Sequence, residues 1–351
     1  MRGIKDPDLE AIKNSVPPEL FRIEPQFVQR IWGSRTLAPL FPEKANLKEP
    51  IGEVWLTGTN CHVATGPFAG KTLAEAWREV PAEWRGEKFK EPGDFPLLLK
   101  FIFPQDKLSI QVHPDDAYAE RHEKAAGGRG KTEMWHVVSA EPEAQVLIGL
   151  KPGVDKAKFL AALETHTVED LFQAHSARAG DTFFLPAGTP HTIGPGMVIC
   201  EVQQYSDVTY RVYDYGRVDA QGKPRELHVA KALEVIDFGA SKGGKVPRTS
   251  LLAGREGRRE LARCAYFSAE RLDFDRDAHF TFAGPERREH SFHLMVILAG
   301  DGIVASLPRR GAGGEIPFRQ GECWFVPANA FREGCEFHSN GKVSLLTACV
   351  P

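Results

Sequence analysis

Residues 180–191 read GDTFFLPAGTPH, and residues 321–332 read GECWFVPANAFR. Each runs glycine, acid, three residues of which two are aromatic or apolar, an apolar residue, proline, alanine. In register, Pro186 meets Pro327, Gly188 meets Asn329 and His191 meets Arg332. Physically, each copy is a turn, a core strand and a second turn that presents one side chain at a barrel mouth. Two unrelated strand–turn units are the plain alternative, which the number of shared positions disfavours. The expectation is two related β-barrels. The second copy lacks the histidine, so only the first is expected to hold a metal.

Working outward, short strand-like segments recur between Gly and Pro: FRIEPQFV, GEVWLTG, PLLLKFIF, LSIQVH, EMWHVV, AQVLIGL and MVICEVQQ. That spacing points to an all-β-dominated fold of barrel or sandwich type, not to alternating βαβ units. A few helices are expected. TLAEAWREV carries Thr72 and Glu75 in the spacing of a capping box, and VDKAKFLAALE with TVEDLFQ forms a helical excursion. RELHVAKALEVIDF places Leu227, Ala230, Leu233 and Val235 at near-helical spacing. SKGGKVPRTS, 241–250, has linker character. It divides the chain into a metal-binding domain, 1–240, and a second domain, 241–351.

The 351 residues allow one large domain or two ordinary ones. Twenty-two Phe, 33 Gly and 25 Pro fit many strands and turns. A net charge of −3 excludes the basic surface that nucleic acid requires. The charged N-terminus has no apolar leader, and FPLLLKFIF is too short and too charged to span a membrane. Six scattered cysteines without a C-x-x-C pair fit neither a disulfide framework nor a zinc knuckle, and suit a reducing cytoplasm.

Chemistry concentrates in KLSIQVHPDD and GKTEMWHVV. Gln111 and His113 stand two apart, so on a strand they share a face, and Lys131 and Glu133 have the same relation. His191 follows a Pro-x-Gly turn. Two imidazoles, one carboxylate and one amide oxygen suit a divalent ion such as zinc with a position open to water or substrate. Each residue also has a plainer reading, as a hydrogen-bonded or solvated strand residue. His136 and His62 are alternative ligands, and spacing alone does not choose among them.

LSIQVHPDD, GKTEMWHVV, FFLPAGTPHTIG and EVQQYSDVTYRVYDYGR, in that order, resemble the type I mannose-6-phosphate isomerases, zinc enzymes of the cupin superfamily. WGSRTL, IGEVWLTG, GPFAGKTLAE, FPLLLKF and RELHVAKALEVID extend the resemblance over roughly the first 240 residues. The remainder resembles a degenerate second cupin. The resemblance implies two cupin-type (jelly-roll) barrels and one Zn2+ per chain. It places the ligands on Gln111, His113, Glu133 and His191, an active-site arginine on Arg211 and lysines near the metal on Lys131 and Lys100. Thr189-Pro190 stands where many members have Thr-Val, and His136 stands where a tyrosine is frequent. Only 58 positions separate Glu133 from His191, so the helical insertion of longer members is absent, as in the short bacterial form.

The implied reaction interconverts mannose 6-phosphate and fructose 6-phosphate, with a sugar phosphate as the only expected partner of a cytoplasmic monomer or weak homo-oligomer. Proton transfer through a cis-enediolate needs positive charge aimed at oxygen. Arg211, always protonated, suits that task. Lys131 is a candidate base, with a metal-bound hydroxide as the other. Lys100 in its apolar strand must meet an anion, either a protein carboxylate or the substrate phosphate, and Ser109 is a further candidate contact. A redox cupin such as a dioxygenase, or a non-catalytic sugar-binding cupin, fits the neutral Gln111 and the surrounding cations less well.

Overall fold

The computed structural model describes residues 19–91, 93–124, 127–218, 221–239, 242–248, 257–280, 291–306, 315–330 and 335–351. Strands dominate, as the Gly- and Pro-punctuated pattern requires, and their pairings are antiparallel. One seven-stranded sheet runs from edge to edge through Gly244–Val246, Thr182–Leu185, Glu133–Ala140, Met197–Gln204, Leu97–Ile102, Ile51–Trp55 and Gln26–Ser34. Facing it is a five-stranded sheet of Tyr210–Tyr213, Ile110–Val112, His191–Ile193, Gln145–Leu150 and Phe172–Ser176. The two enclose Ile102, Val137, Val146, Ile148, Phe183, Ile193 and Ile199. The first barrel thus has an apolar floor.

The third sheet orders Phe21–Ile23, Cys323–Val326, His293–Ala299, Cys335–Cys349, Ser268–Phe280 and Arg258–Arg263, with Gly302–Ser306 bridging Glu315–Phe318 to Cys335–Cys349. Its side chains alternate with period two. Leu294, Val296, Phe325 and Leu346 pack against Val54, Leu99, Phe101 and Val202 of the seven-stranded sheet. Met295, Ile297, Trp324, Val326, Phe337 and Leu345 fill the second barrel. At about 1.5–3 kcal/mol for each fully buried large apolar side chain, both faces hold the barrels firmly.

Two features cross the expected division at residue 240. The 244–246 stretch, expected as linker, is an edge strand on Thr182–Leu185, and Phe21–Ile23 pairs with the echoed strand Cys323–Val326. Both stretches offer unpaired ladder groups beside an open edge, and pairing satisfies them. Arg332 lies outside the described residues. Thr72 and Glu75 form the expected capping box on helix Leu73–Glu79, while Asp115 caps Asp116–His122 and Asp155 caps Lys156–Glu164. The last helix spans Val229–Val235, so Leu227 precedes it and is exposed. Among the described residues no helix is long and apolar enough to cross a membrane.

Candidate metal centre

Three antiparallel strands of the five-stranded sheet set the first part of the site. His191 stands directly opposite Gln111, and Gln111 stands directly opposite Arg211. Opposed residues share a face, so the three side chains project together into the barrel. His113 leaves the same strand two residues after Gln111. Glu133 arrives from the other sheet, opposite Gln203 and Leu185. Backbone bonds hold the rim: Lys131 N donates to Pro114 O at 3.0 Å and Gly188 N donates to His113 O at 2.8 Å. Gly188 has φ +83°, and a Cβ there would lie 2.9 Å from Val235 O, so the turn before His191 requires glycine.

His113, Glu133 and His191 are all buried, and one ligand atom from each lies within 4.8 Å of the others. His113 Nδ1 donates to Val208 O at 2.9 Å and His191 Nδ1 donates to Thr189 O at 2.9 Å. A carbonyl only accepts, so both rings carry the proton on Nδ1 and turn the Nε2 lone pair inward. Burial and the Lys131 charge lower both imidazole pKa values, that of His191 to about 3, which keeps both rings neutral. Glu133 Oε1 is buried without a hydrogen-bond partner among the described residues. An orphaned carboxylate oxygen beside two oriented lone pairs fits a cation. Gln111 Nε2 lies 3.3 Å from His191 Nε2, and turning its amide over brings Oε1 to the same place.

The plainer readings give way here. Lys131 is buried, not on the surface: its Nζ pairs with Glu133 and lies 2.9 Å from His113 Nε2. His62 is exposed. His136 is buried outside the cluster, bonded to Thr182 and Arg271. Arg211 donates from Nη1 to Glu226 O, and its buried Nε has no partner among the described residues. Ser109 is buried two residues before Gln111, with the same strand parity. Lys100 Nζ meets protein carboxylates, Asp207 at 3.3 Å and Glu53 at 3.8 Å, and sits 4.7 Å from the Trp55 ring centre. Burial alone would depress its pKa, but Glu53, Asp207 and Glu201 outweigh that and raise it.

Sequence reasoning missed Glu201. It stands opposite both Lys100 and Trp135, accepts a 2.9 Å bond from Trp135 Nε1, and has its pKa raised to about 7 by burial and then by Glu133. The available signal was an acid inside MVICEVQQ, a strand buried on both faces. Burial and the neighbouring Glu133 thus favour the protonated form of this carboxyl inside a polar barrel.

The model of the phosphomannose isomerase type I catalytic domain matches residues 20–138. Mannose-6-phosphate isomerase ManA of Bacillus subtilis is 32% identical over 320 residues, covering 87% of this chain and 91% of that protein. The Streptococcus mutans mannose-6-phosphate isomerase is 37% identical over 225 residues, covering 62% and 69%. The crystal structure of the mannose 6-phosphate isomerase from Bacillus subtilis aligns with a TM-score of 0.80 at 29% identity, covering 94% of this chain and 99% of that one.

Proposed function

Starting from the premise that this chain belongs to the type I phosphomannose isomerases, we propose that it interconverts mannose 6-phosphate and fructose 6-phosphate through a cis-enediolate, at a zinc centre held by Gln111, His113, Glu133 and His191. The observation that carries this reading is the Glu133 carboxylate between two Nδ1-protonated histidines, its unpartnered Oε1 3.4 Å from His191 Nε2 and its Oε2 3.5 Å from His113 Nε2. A divalent ion bound there supplies a Lewis acid for the sugar's oxygens.

The chain's own groups do the rest. Three neutral ligands and one carboxylate leave about one positive charge on the centre, where a glutamate at 111 would cancel it. Arg211, opposite Gln111, adds an obligate cation with an unsatisfied Nε–H for the enediolate or sugar oxygens. Lys131 Nζ, which here has Glu133 and His113 as partners, would lose both to a cation held by those two residues, and as the neutral amine it would take the proton from one carbon and return it to the other. Glu201 holds a further exchangeable proton in the same interior. Among the described residues Lys100 makes one hydrogen bond, to Asp207, and so keeps donors for a sugar or phosphate oxygen, as does the Ser109 hydroxyl. The second barrel is assigned a packing role against the catalytic one.

A coupled assay with mannose 6-phosphate, run before and after chelation, tests the reading. Turnover that vanishes on chelation and returns with Zn2+ is expected. Absence of turnover in metal-loaded protein overturns the isomerase assignment, and full turnover after verified metal removal overturns the metal centre.

A further inference from the structure

Between the two barrels, away from the metal centre, a cavity of about 200 Å³ is lined by His136, Gly180, Arg248, Arg259, Arg271 and Asp273, among others. At about 30 Å³ of liquid volume per water, it has room for roughly six waters. Three arginines from separate segments converge on it. Arg248 follows the edge strand Gly244–Val246, while Arg259 and Arg271 stand directly opposite each other in the pair formed by Arg258–Arg263 and Ser268–Phe280. Like charges placed directly opposite across antiparallel strands destabilise a sheet. That cost is relieved when an anion sits between them.

The geometry favours such an anion. Arg248 Nη2 and Arg271 Nη1 each lie 3.6 Å from the position a Cβ on Gly180 would occupy, so they are no more than twice that distance apart. One tetrahedral oxyanion spans such a gap with charge-assisted bonds. Existing partners leave donors to spare. Arg248 Nη2 donates to Asp181 Oδ1 and Ala179 O, both at 3.0 Å. Arg271 donates to Asp273 Oδ1 at 2.9 and 2.8 Å and to His136 Nε2 at 3.0 Å. Each guanidinium has five N–H groups, and Arg259 has no ion-pair or hydrogen-bond partner among the described residues. Three guanidiniums and Lys245, which pairs with Asp181, stand against Glu260, Asp273 and Asp181, which leaves one positive charge in excess. His136 Nε2 accepts from Arg271, so that ring's other nitrogen donates to Thr182, and this buried pair orients Arg271 toward the cavity.

We propose that this seam between the barrels, framed by Arg248, Arg259 and Arg271 over Gly180, is a phosphate-binding site separate from the metal centre. Its ligand is a phosphate dianion, either free or at the end of a monoester. Bound there, it ties the edge strand at 244–246, the catalytic barrel through His136, and the second barrel through Arg259 and Arg271. It therefore stabilises the folded protein by mass action.

The test is thermal unfolding of the metal-loaded protein in rising inorganic phosphate, and separately in glycerol 3-phosphate, with chloride holding ionic strength constant. Wild type is expected to gain several degrees in at least one series; a gain in both marks the monoester as an admissible source, and a gain in phosphate alone restricts the site to the free dianion. Arg259→Glu, an exposed position, is expected to melt at or above wild type without phosphate, because the opposed positive pair becomes a neutral one, and to lose the phosphate gain. Arg211→Ala, at the metal centre, keeps the gain. Equal gains in wild type and Arg259→Glu, or no gain in wild type in either series, overturn the proposal. So does a crystal soaked in selenate with no anomalous peak within hydrogen-bond distance of Arg248 and Arg271.

Discussion

The two barrels fill their interiors differently, the first largely with polar groups and the second largely with apolar ones. Inside the first, the residues that alternate inward on Met197–Gln204 are Ile199, Glu201 and Gln203, set against Lys100, Trp135 and Glu133. Inside the second, the inward set on His293–Ala299 is His293, Met295 and Ile297, set against Trp324, Val326 and Leu345, and its buried charges among the described residues are the Arg258–Glu270 pair beside Phe280. The turns that begin at Gly180 and Gly321 are alike, with φ +84° at each glycine. An apolar interior stabilises without further arrangement. A polar one demands that each buried charge find a partner, and this barrel answers with Lys100–Asp207, Lys131–Glu133 and Trp135–Glu201. Among the described residues, the buried atoms of this interior without a hydrogen-bond partner include Glu133 Oε1, Gln203 Oε1 and Arg211 Nε, of which the first suits a metal and the last a sugar oxygen.

That contrast can be broken from either side. Glu133→Gln removes the only charged ligand, and metal content and turnover should both collapse. The loss should exceed the roughly 10²–10³-fold that follows removal of one oxyanion-stabilising donor. Arg211→Ala should fall within that 10²–10³-fold range while metal analysis still finds one ion per chain; near-normal kcat refutes its role. Phe337→Ala, in the second barrel, should lower unfolding free energy by about 3–5 kcal/mol and leave kcat of the folded enzyme alone. A large kcat effect there would merge functions the comparison keeps apart. Gln111→Glu should retain or tighten the metal and slow isomerisation roughly tenfold, about 1.4 kcal/mol in barrier. Unchanged turnover would undo the charge argument.

The smallest effect sharpens the electrostatics. In metal-free protein, folded Glu201 keeps its proton up to about pH 7, whereas the unfolded side chain releases it near 4.5. Between those values the native state binds more protons, so this group's contribution to stability falls as pH rises. Glu201→Gln should flatten the decline in Tm between pH 4.5 and 7, as followed by calorimetry. Parallel wild-type and variant curves would remove Glu201 from the set of neutral-pH titrating groups.

Much of this was legible in one dimension. Period-two alternation, turn residues at fixed offsets and the echo at 180 and 321 specify strands and their repetition, because pleat and turn geometry are local. Spacings of two in Gln111–His113 and Lys131–Glu133 put each pair on one face for the same reason, and the Thr72 cap follows from a side chain that reaches only three residues. What the tertiary structure decided depends on which distant strands become neighbours. Register set Arg211 and His191 on either side of Gln111, and put Glu201 between Lys100 and Trp135. Burial set His191 apart from His62 and drew Lys131 from a glycine-rich loop into the barrel, while strand parity turned the equally buried His136 away from Glu133. Edge pairing turned the 244–246 linker into a strand and took Phe21–Ile23 into the second barrel. Local propensity carries no information about long-range pairing or desolvation, and the charge, tautomer and pKa of each group at the metal centre are properties of its neighbours.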